Sequence, residues 1–148
     1  MPNIILKTIK ELNEWKLSNQ KDLSFVPTMG NLHLGHKKLI QEAKKSKDSL
    51  IILSIFINPL QFNDKEDFRN YPRTINKDID LAFAAGADTI FIPSVDEIFP
   101  QNDKQINYLK ASKDLSKTLC GVSREGHFDG VCTVVNRLIN IVKPEVIF

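Results

Sequence analysis

Short apolar runs alternate along this chain with segments whose apolar residues recur at helical spacing. The runs predict strands at 4–6, 24–26, 50–57, 89–92 and from 146 onward. The periodic segments predict helices at 9–15, 35–43, 75–85 and 131–142. Parallel strands need long crossover connections, and helices of this length supply them. The alternation therefore predicts an α/β fold, a doubly wound parallel sheet with helices on both faces and ligands at the carboxyl ends of its strands.

Proline and glycine mark two of the predicted boundaries. Pro27 is expected to stop the strand at 24–26, because proline lacks the N–H that a strand ladder uses. Gly86 is expected to cap the helix at 75–85, since glycine tolerates the left-handed conformation found there.

The region between the second and third long helical patterns is harder to assign. Residues 58–74 are polar and aromatic, and we expect a long irregular connection of the kind that often carries function. At its end, Thr74 suits an N-cap and Arg73 is expected to tether the loop through an ion pair. Weaker patterns predict a short strand at 106–109 and a short helix at 115–119.

Composition limits the class of protein. A chain of 148 residues that is 42% hydrophobic is long enough for one domain, taken as 1–148, with a real core. The net charge of +2 is too balanced for a nucleic-acid or membrane partner, although small anions remain possible ligands. Two cysteines, no run of bilayer length and no recognisable secretion signal predict a cytoplasmic location.

The stretch PTMGNLHLGH places two histidines where an apolar run gives way to a helical pattern. His33 and His36 lie at i and i+3, so both rings are expected on one side of the first helical turn. That turn carries unpaired N–H groups and the positive end of the helix dipole, which favours phosphate. Gly35 would let a ligand approach the backbone. Ordinary surface or core histidines are the alternative.

A metal site is a weaker interpretation of the same histidines. HxxH resembles part of such a site, but no carboxylate or third histidine stands nearby and His127 is remote in sequence. Cys120, His127 and Cys132 match no common zinc spacing either. We therefore predict no protein-held metal.

Four motifs together resemble one enzyme family. PTMGNLHLGH, SIFINPLQF, NYPRT and GHFDGVCTVVNRL occur in the order and spacing typical of pantothenate synthetase, also called pantoate–β-alanine ligase. The resemblance covers the chain from about residue 25 to its end. It implies a Rossmann-like fold of the HxGH nucleotidylyltransferase superfamily. It also implies two steps: pantoate attacks the α-phosphate of ATP to give pantoyl adenylate and pyrophosphate, and β-alanine then displaces AMP to give pantothenate.

The resemblance assigns roles to individual residues. His36 matches the catalytic proton donor, and His33 the second catalytic histidine. Gln61 matches the pantoate-binding glutamine, and Arg124 and His127 match a candidate site for the second step. The ATP-binding stretch corresponds to Met29, Gly30, Asn31, Leu32, His33, Leu34, Gly35 and His36, of which Met29 is also expected to contact pantoate.

Two further side chains in the NPLQF motif have simpler expected roles. Asn58 is expected to fix the exit of the preceding strand. Phe62 is expected either to wall the geminal methyls of pantoate or simply to pack.

The chain departs from the family pattern in two places. Glu125 replaces a proline of the family's RPGHF motif, which is expected to loosen the loop and partly offset Arg124. The family's phosphate-binding lysine and a second pantoate glutamine would follow residue 148, so the C-terminal part is expected to be missing. On this basis we expect a domain that is incomplete at its C-terminus, an exposed sheet edge at 146–148 and little ligase activity.

The resemblance also implies partners, and two rival functions remain. Expected ligands are ATP with Mg²⁺, pantoate and β-alanine, and a homodimer is the expected assembly. A cytidylyltransferase shares the HxGH signature, although NPLQF and GHFDGV argue against it. A non-catalytic binding module is the other rival.

Overall fold

The computed structural model describes residues 2–62, 64–104, 106–118 and 120–148 of the chain. Its centre is a five-stranded parallel sheet in the order β1-β4-β3-β2-β5. The strands are β1 Ile4–Leu6, β2 Asp22–Thr28, β3 Ser49–Ile55, β4 Thr89–Phe91 and β5 Val146–Ile147. The predicted α/β fold is thus confirmed, and five of the six predicted strands are present in the described residues.

Helices cover both faces of the sheet, as predicted. In the described part of the chain they are α1 Ile9–Asn19, α2 Leu34–Ala43, α3 Lys65–Asn70, α4 Ile75–Ala85, α5 Val95–Ile98, α6 Lys113–Ser116, α7 Cys120–Ser123 and α8 His127–Val142. Trp15 of α1 and Leu138 of α8 lie in the apolar cluster on one face. Ile40 of α2 and Ala82 of α4 lie in the cluster on the other. Within these described ranges, no helix has the length and apolarity needed to cross a bilayer.

Strand β3 is apolar throughout because both of its faces are covered. Leu50 and Ile52 join the cluster under α1 and α8. Ile51 and Leu53 join the cluster under α2 and α4. The strand pairs with β2 in register from Asp22 with Ser49 to Thr28 with Ile55, which makes these two strands the rigid centre of the sheet.

The predicted end of β2 at Pro27 is wrong, because the strand continues to Thr28. The Phe25 carbonyl accepts a hydrogen bond from Phe148 on the β5 side. The Thr28 carbonyl accepts one from Phe56 on the β3 side. Backbone groups of successive strand residues point to alternate sides, so Pro27 faces the β5 side, where strand pairing stops at Phe25. Within the described residues, the missing N–H therefore leaves no observed ladder hydrogen bond broken on that side.

The region predicted as a long irregular connection contains two short elements. A 3₁₀ turn occupies Pro59–Gln61, and α3 follows it. The carboxylate of Asp64 caps α3 by accepting the N–H of Glu66 at 2.8 Å. An acidic first turn then stabilises this short helix through its dipole.

Thr74 and Arg73 act differently from the sequence prediction. Thr74 occupies the N-cap position of α4, but its hydroxyl donates to the Asp78 carboxylate at 3.1 Å and caps no backbone N–H. Arg73 forms no ion pair with any described residue. Its guanidinium instead donates to three backbone carbonyls around the end of α3, those of Phe68, Arg69 and Tyr71.

Three predictions in the last third of the chain need correction. Residues 106–109 are irregular, because the Leu109 N–H donates to Thr133 Oγ1 on α8 at 2.9 Å and not to a strand. The helix predicted at 115–119 is α6, which ends at Ser116, and residue 119 lies outside the described residues. Helix α8 begins at His127, four residues before the predicted start at 131.

The order of the strands places a crevice at the carboxyl end of β2. From β2 the chain passes through α2 on one face to the neighbouring β3. Strand β5, on the other side of β2, is reached through α8 on the opposite face. Connections that diverge in this way leave an opening between them, and ligands of α/β proteins commonly bind there.

Candidate active site

A buried carboxylate holds the turn that follows β2. Asp78, only 3% exposed, accepts the N–H of Asn31 at 2.9 Å and that of Leu32 at 2.8 Å. It also accepts the hydroxyl of Thr74. Asp78 was not among the residues predicted from the sequence. Its spacing was the available signal in the sequence. Asp78 lies four residues before Ala82, on the side of α4 that is buried.

Gly30 is required where this turn passes closest to Asp78. Its φ is +79°, and a Cβ there would lie 3.0 Å from Asp78 Oδ2 and 3.1 Å from Ile55 Cγ2. The Gly30 N–H donates to Thr28 Oγ1, whose own hydroxyl donates to the Ser54 carbonyl at 2.7 Å. The turn is therefore fixed from both sides before any ligand binds.

The two motif histidines cap the first turn of α2. His33 is the N-cap, and its Nδ1 accepts the Gly35 N–H at 3.0 Å. His36 Nδ1 accepts the His33 N–H at 3.2 Å. The ring centroids are 4.1 Å apart, so both rings lie on the same side of the turn. Because each Nδ1 accepts, each neutral ring carries its proton on Nε2, and both Nε2–H groups remain donors.

Burial lowers the pKa of His36 below its ordinary value. Partial desolvation is the largest cause, and the neighbouring His33 lowers the pKa further. The carboxylate of Asp78 opposes both effects. The net lowering favours a neutral His36 ring near neutral pH, a hydrogen-bond donor through Nε2 and not a cation.

Gly35 serves the histidine cap in a way that the sequence did not predict. A Cβ at Gly35 would lie 2.8 Å from His33 Cε1 and 3.0 Å from His33 Nδ1. The absent side chain therefore makes room for the His33 ring. The role predicted from the sequence, room for a ligand, is therefore replaced by room for this ring.

A cavity of about 260 Å³ opens at the carboxyl end of β2, and we call it the central cavity. Met29, His36 and Gln61 line it together, so the structure joins residues from two separate sequence motifs. The other residues that line it come from β2 and the turn after it, from the exit of β3, from the end of α3 and from α8: Pro27, Thr28, Gly30, Phe56, Asn58, Tyr71, Val131, Val134, Val135 and Leu138.

Gln61 is held by Asn58 and by a close approach of α8. Asn58 Nδ2 donates to Gln61 Oε1 at 3.2 Å and to the Gly130 carbonyl at 3.0 Å. A Cβ on Gly130 would overlap the Leu60 carbonyl and lie 2.6 Å from the Gln61 nitrogen. Gln61 is 8% exposed, and the hydrogen bonds found among the described residues use its Oε1 and its backbone carbonyl but not its Nε2.

A second cavity, of about 320 Å³, adjoins the first, and we call it the outer cavity. Arg124 and His127, the two residues predicted as a candidate second-step site, both line it. His127 Nδ1 lies 2.8 Å from the Gln61 carbonyl, which can only accept, so this ring carries its proton on Nδ1. The outer cavity also includes Met29, Gln61, Phe62, Asp67, Asn70, Tyr71 and Pro72.

The remaining residues of the predicted ATP-binding stretch lie outside these two cavities. Asn31, with φ +52°, completes the left-handed turn, and Leu32 packs partly buried against the cluster under α2 and α4. His33, Leu34 and Gly35 are exposed on the open side of α2. The structure thus places His36 at the wall of the central cavity and His33 in solvent beside it.

A third cavity, of about 370 Å³, lies at the carboxyl ends of β3 and β4 and was not predicted from the sequence. Gly30 and Asp78 contribute to its wall, so it lies on the other side of the same turn. Most of its lining is apolar. The described residues include no group of three or more His, Cys, Asp or Glu side chains placed to hold a metal ion.

Comparison with known proteins gives one consistent family. The family model for pantoate-beta-alanine ligase matches residues 4–148. A bifunctional pantoate ligase/cytidylate kinase of Prochlorococcus marinus subsp. pastoris is 54% identical over 148 residues, covering 100% of this chain and 29% of that protein. The corresponding protein of a second Prochlorococcus marinus strain is 52% identical over 145 residues, covering 98% of this chain and 28% of that protein.

Solved structures agree with the family match. A pantoate-beta-alanine ligase from Francisella tularensis, complexed with beta-gamma ATP and beta-alanine, has a TM-score of 0.88 at 38% identity. The match covers 99% of this chain and 56% of that one. Pantothenate synthetase from Thermus thermophilus has a TM-score of 0.84 at 35% identity, covering 97% of this chain and 50% of that one. The chain therefore spans about half the length of these solved neighbours and under a third of the curated relatives.

Proposed function

Because the chain belongs to the pantoate-beta-alanine ligase family, we propose that it carries the nucleotide- and pantoate-binding site for ATP-dependent condensation of pantoate with β-alanine. In the proposed first step, the pantoate carboxylate attacks the α-phosphate of ATP and releases pyrophosphate. In the second, the β-alanine amine attacks the acyl carbon of pantoyl adenylate and AMP leaves. The observation that carries the proposal is the meeting of Met29, His36 and Gln61 in one cavity.

The central cavity suits pantoate in shape and polarity. Pantoate is small and carries two geminal methyl groups beside its hydroxyl groups and carboxylate. Val131, Val134 and Leu138 of α8 form an apolar wall for the methyl groups. The Gln61 amide donates toward the hydroxyl or carboxylate oxygens. Phe62 supplies none of this wall, because it lines the outer cavity and packs against Phe68 and Tyr71.

ATP is proposed to lie along the turn at 29–36 and the first turn of α2. Backbone N–H groups at a helix start favour phosphate, and the Nε2–H groups of His33 and His36 supply two further donors. Donors fixed in this way stabilise the charge that develops on phosphate oxygens as pyrophosphate leaves. His36 lines the central cavity, so it lies nearest the proposed attacking carboxylate.

The second substrate is proposed to enter through the outer cavity. Met29, Gln61 and Tyr71 line both cavities, so the two share a wall. A nucleophile held in the outer cavity would thus lie beside an acyl group held in the central cavity, and proximity of this kind supplies much of the rate in a two-substrate reaction.

Mg²⁺ is proposed to accompany ATP through phosphate oxygens and water, which are the ligands this ion prefers. A cytoplasmic location and a homodimer are expected by analogy with the family. Sedimentation of the purified chain over a range of concentrations tests the dimer.

Calorimetric titration with pantoate tests the proposed binding site. The wild-type chain should bind pantoate, and it should bind 2,4-dihydroxybutyrate, which lacks the geminal methyls, about tenfold more weakly. Val134→Ala should weaken pantoate binding and leave the binding of the dimethyl-free analogue nearly unchanged, because only the methyl groups meet that wall. Leu17→Ala, at an exposed position of α1, is the control.

The outcome also separates the rival functions. A cytidylyltransferase would bind a cytidine nucleotide and not pantoate, and a protein-binding module would bind neither pantoate nor ATP. Equal affinity for pantoate and its dimethyl-free analogue would contradict the proposed placement. Pantoate-dependent exchange of pyrophosphate into ATP then tests the adenylation step.

A further inference from the structure

The outer cavity contains two side chains of opposite charge that form no ion pair with any described residue. Arg124 and Asp67 both line it and both are exposed. Neither side chain has a hydrogen-bond or ion-pair partner among the described residues, and the two are not paired with each other. A cavity with a free cation on one wall and a free anion on another complements a ligand that carries both charges.

Helix α3, which carries Asp67, is held in place by residues that flank it in the sequence. Arg73 binds three backbone carbonyls around the end of α3 and lies over the Phe68 ring, 5.4 Å from its centroid. Phe62 packs edge-on against both Phe68 and Tyr71, at 5.6 Å in each case. These contacts fix the face of α3 that Asp67 and Asn70 present to the cavity.

The wall that carries Arg124 is anchored at the start of α8. The His127 N–H donates to the Arg124 carbonyl at 3.1 Å, and His127 Nδ1 donates to the Gln61 carbonyl at 2.8 Å. Both anchors use the backbone or the histidine ring, so the Arg124 guanidinium stays available. Glu125, which was expected to offset Arg124, does not line the cavity and forms no ion pair with Arg124.

From this arrangement we propose that Asp67 and Arg124 form a two-ended clamp for a zwitterionic amino acid. The Arg124 guanidinium binds its carboxylate and the Asp67 carboxylate binds its ammonium group. The inference deepens the proposed function, since the ligand is the amine that acts second, and it adds Asp67 as a specificity-determining residue. Charge-assisted hydrogen bonds at both ends select against molecules that carry only one of the two charges.

Titration of the 148-residue chain with β-alanine, propionate and ethylamine tests the clamp, with binding followed by NMR chemical shifts. Wild type should bind β-alanine about tenfold or more tightly than either single-charge probe. Asp67→Asn should reduce β-alanine affinity by about tenfold and leave propionate unaffected. Arg124→Gln should weaken both β-alanine and propionate.

Two controls, Glu66→Gln and Glu125→Gln, each remove a charge that lies outside the cavity. Glu66 is the neighbour of Asp67 on α3, and Glu125 is the neighbour of Arg124 in the loop before α8. Both should bind β-alanine as wild type does, whereas Asp67→Glu should retain most of the affinity because it keeps the charge. Circular dichroism of each variant checks that the fold is intact.

The proposal is overturned if wild type does not bind β-alanine, if propionate binds as tightly as β-alanine, or if Asp67→Asn and Glu66→Gln behave alike. Failure of the proposed function has a different signature, because it shows as a lack of pantoate binding in the central cavity. The two results come from different ligands and different variants.

Discussion

At the scale of single residues, the three histidines divide into two tautomers. His33 and His36 accept backbone N–H groups at Nδ1 and present Nε2–H donors, whereas His127 donates from Nδ1 and presents an Nε2 lone pair. The backbone imposes each assignment. The α2 end of the site therefore presents two N–H donors, and His127 at the outer cavity presents an acceptor.

The lowered pKa of His36 predicts a pH dependence of stability. Burial, with help from His33, favours the neutral ring in the folded state, so the unfolded chain takes up a proton at a higher pH than the folded chain. The contribution of His36 is complete above its ordinary value of 6.5 and is lost as pH falls through the lowered folded value. Urea unfolding between about pH 5 and 8 measures it.

His36→Gln isolates this contribution. As pH falls, wild type should lose free energy of unfolding relative to His36→Gln, and above pH 7 the difference between the two should be constant. Parallel curves across the whole range would show that burial does not perturb His36.

Asp78 predicts a larger effect on stability. Asp78→Asn replaces one acceptor oxygen by an NH₂ group, which then faces a backbone N–H in the buried turn. We expect the free energy of unfolding to fall by about 1–3 kcal/mol and nucleotide affinity to fall with it. Denaturant unfolding and calorimetry measure the two quantities.

Asp80→Asn is the matched control, because Asp80 is exposed on the same helix. It removes the same charge but no buried hydrogen bond. If both variants lose the same stability, helix charge and not the buried hydrogen bonds explains the effect of Asp78.

Sequence motifs predicted the residues that line the two cavities better than those that support them. Gln61, His36, Arg124 and His127 occur in long motifs, and the structure places all four along the two adjoining cavities. Asp78 was missed because a single acidic residue on an otherwise apolar side of a helix does not reveal which backbone groups it binds. Its hydrogen bonds cross 46 and 47 positions of sequence, which no local pattern encodes.

At the scale of elements, the contact between α8 and the 3₁₀ turn sets the position of Gln61. Gly130 lets α8 approach the Leu60 backbone, and Asn58 binds the Gly130 carbonyl. Gly130→Ala should push the two elements apart, lower the free energy of unfolding by about 1–3 kcal/mol and weaken pantoate binding. Denaturant unfolding and calorimetry of the variant test this.

Asn140→Ala provides the comparison for Gly130→Ala, since Asn140 is exposed on the same helix and both changes raise helix propensity. The Asn140 variant should keep wild-type pantoate affinity. A Gly130→Ala protein that is as stable as this control would contradict the close approach.

Element boundaries were predictable where local chemistry decides them. Gly86, with φ +115°, ends α4 as expected. The strand end predicted at Pro27 was wrong because a proline stops a strand only where a neighbouring strand needs its N–H. That need is a property of the sheet and not of the local sequence. The strand predicted at 106–109 was wrong for a similar reason, because the Leu109 N–H has its partner on a helix.

At the scale of the whole molecule, strand pairing and burial are greatest in the middle of the sheet. Strands β2 and β3 pair over their full length, whereas α3 has no buried residue among those described. Amides of β3 should therefore exchange with solvent only through global unfolding, and those of α3 through local opening that is faster by orders of magnitude. Hydrogen-exchange mass spectrometry measures both, and equal protection would contradict this division.

The overall architecture was the most predictable level. Alternating strand and helix patterns predicted a parallel sheet covered on both faces, and that sheet by itself places the site at the carboxyl end of β2. The family motifs were needed to predict which side chains converge there. The structure was needed to show how those side chains are held.

Pro27 has a last consequence for access to the site. It lines the central cavity and has no N–H to offer on the side of β2 away from β3. A strand laid along that side could follow β2 only part of the way, because the ladder would lack its next rung at Pro27. Pro27 thus limits how far a strand can pair along the edge of β2 that borders the central cavity.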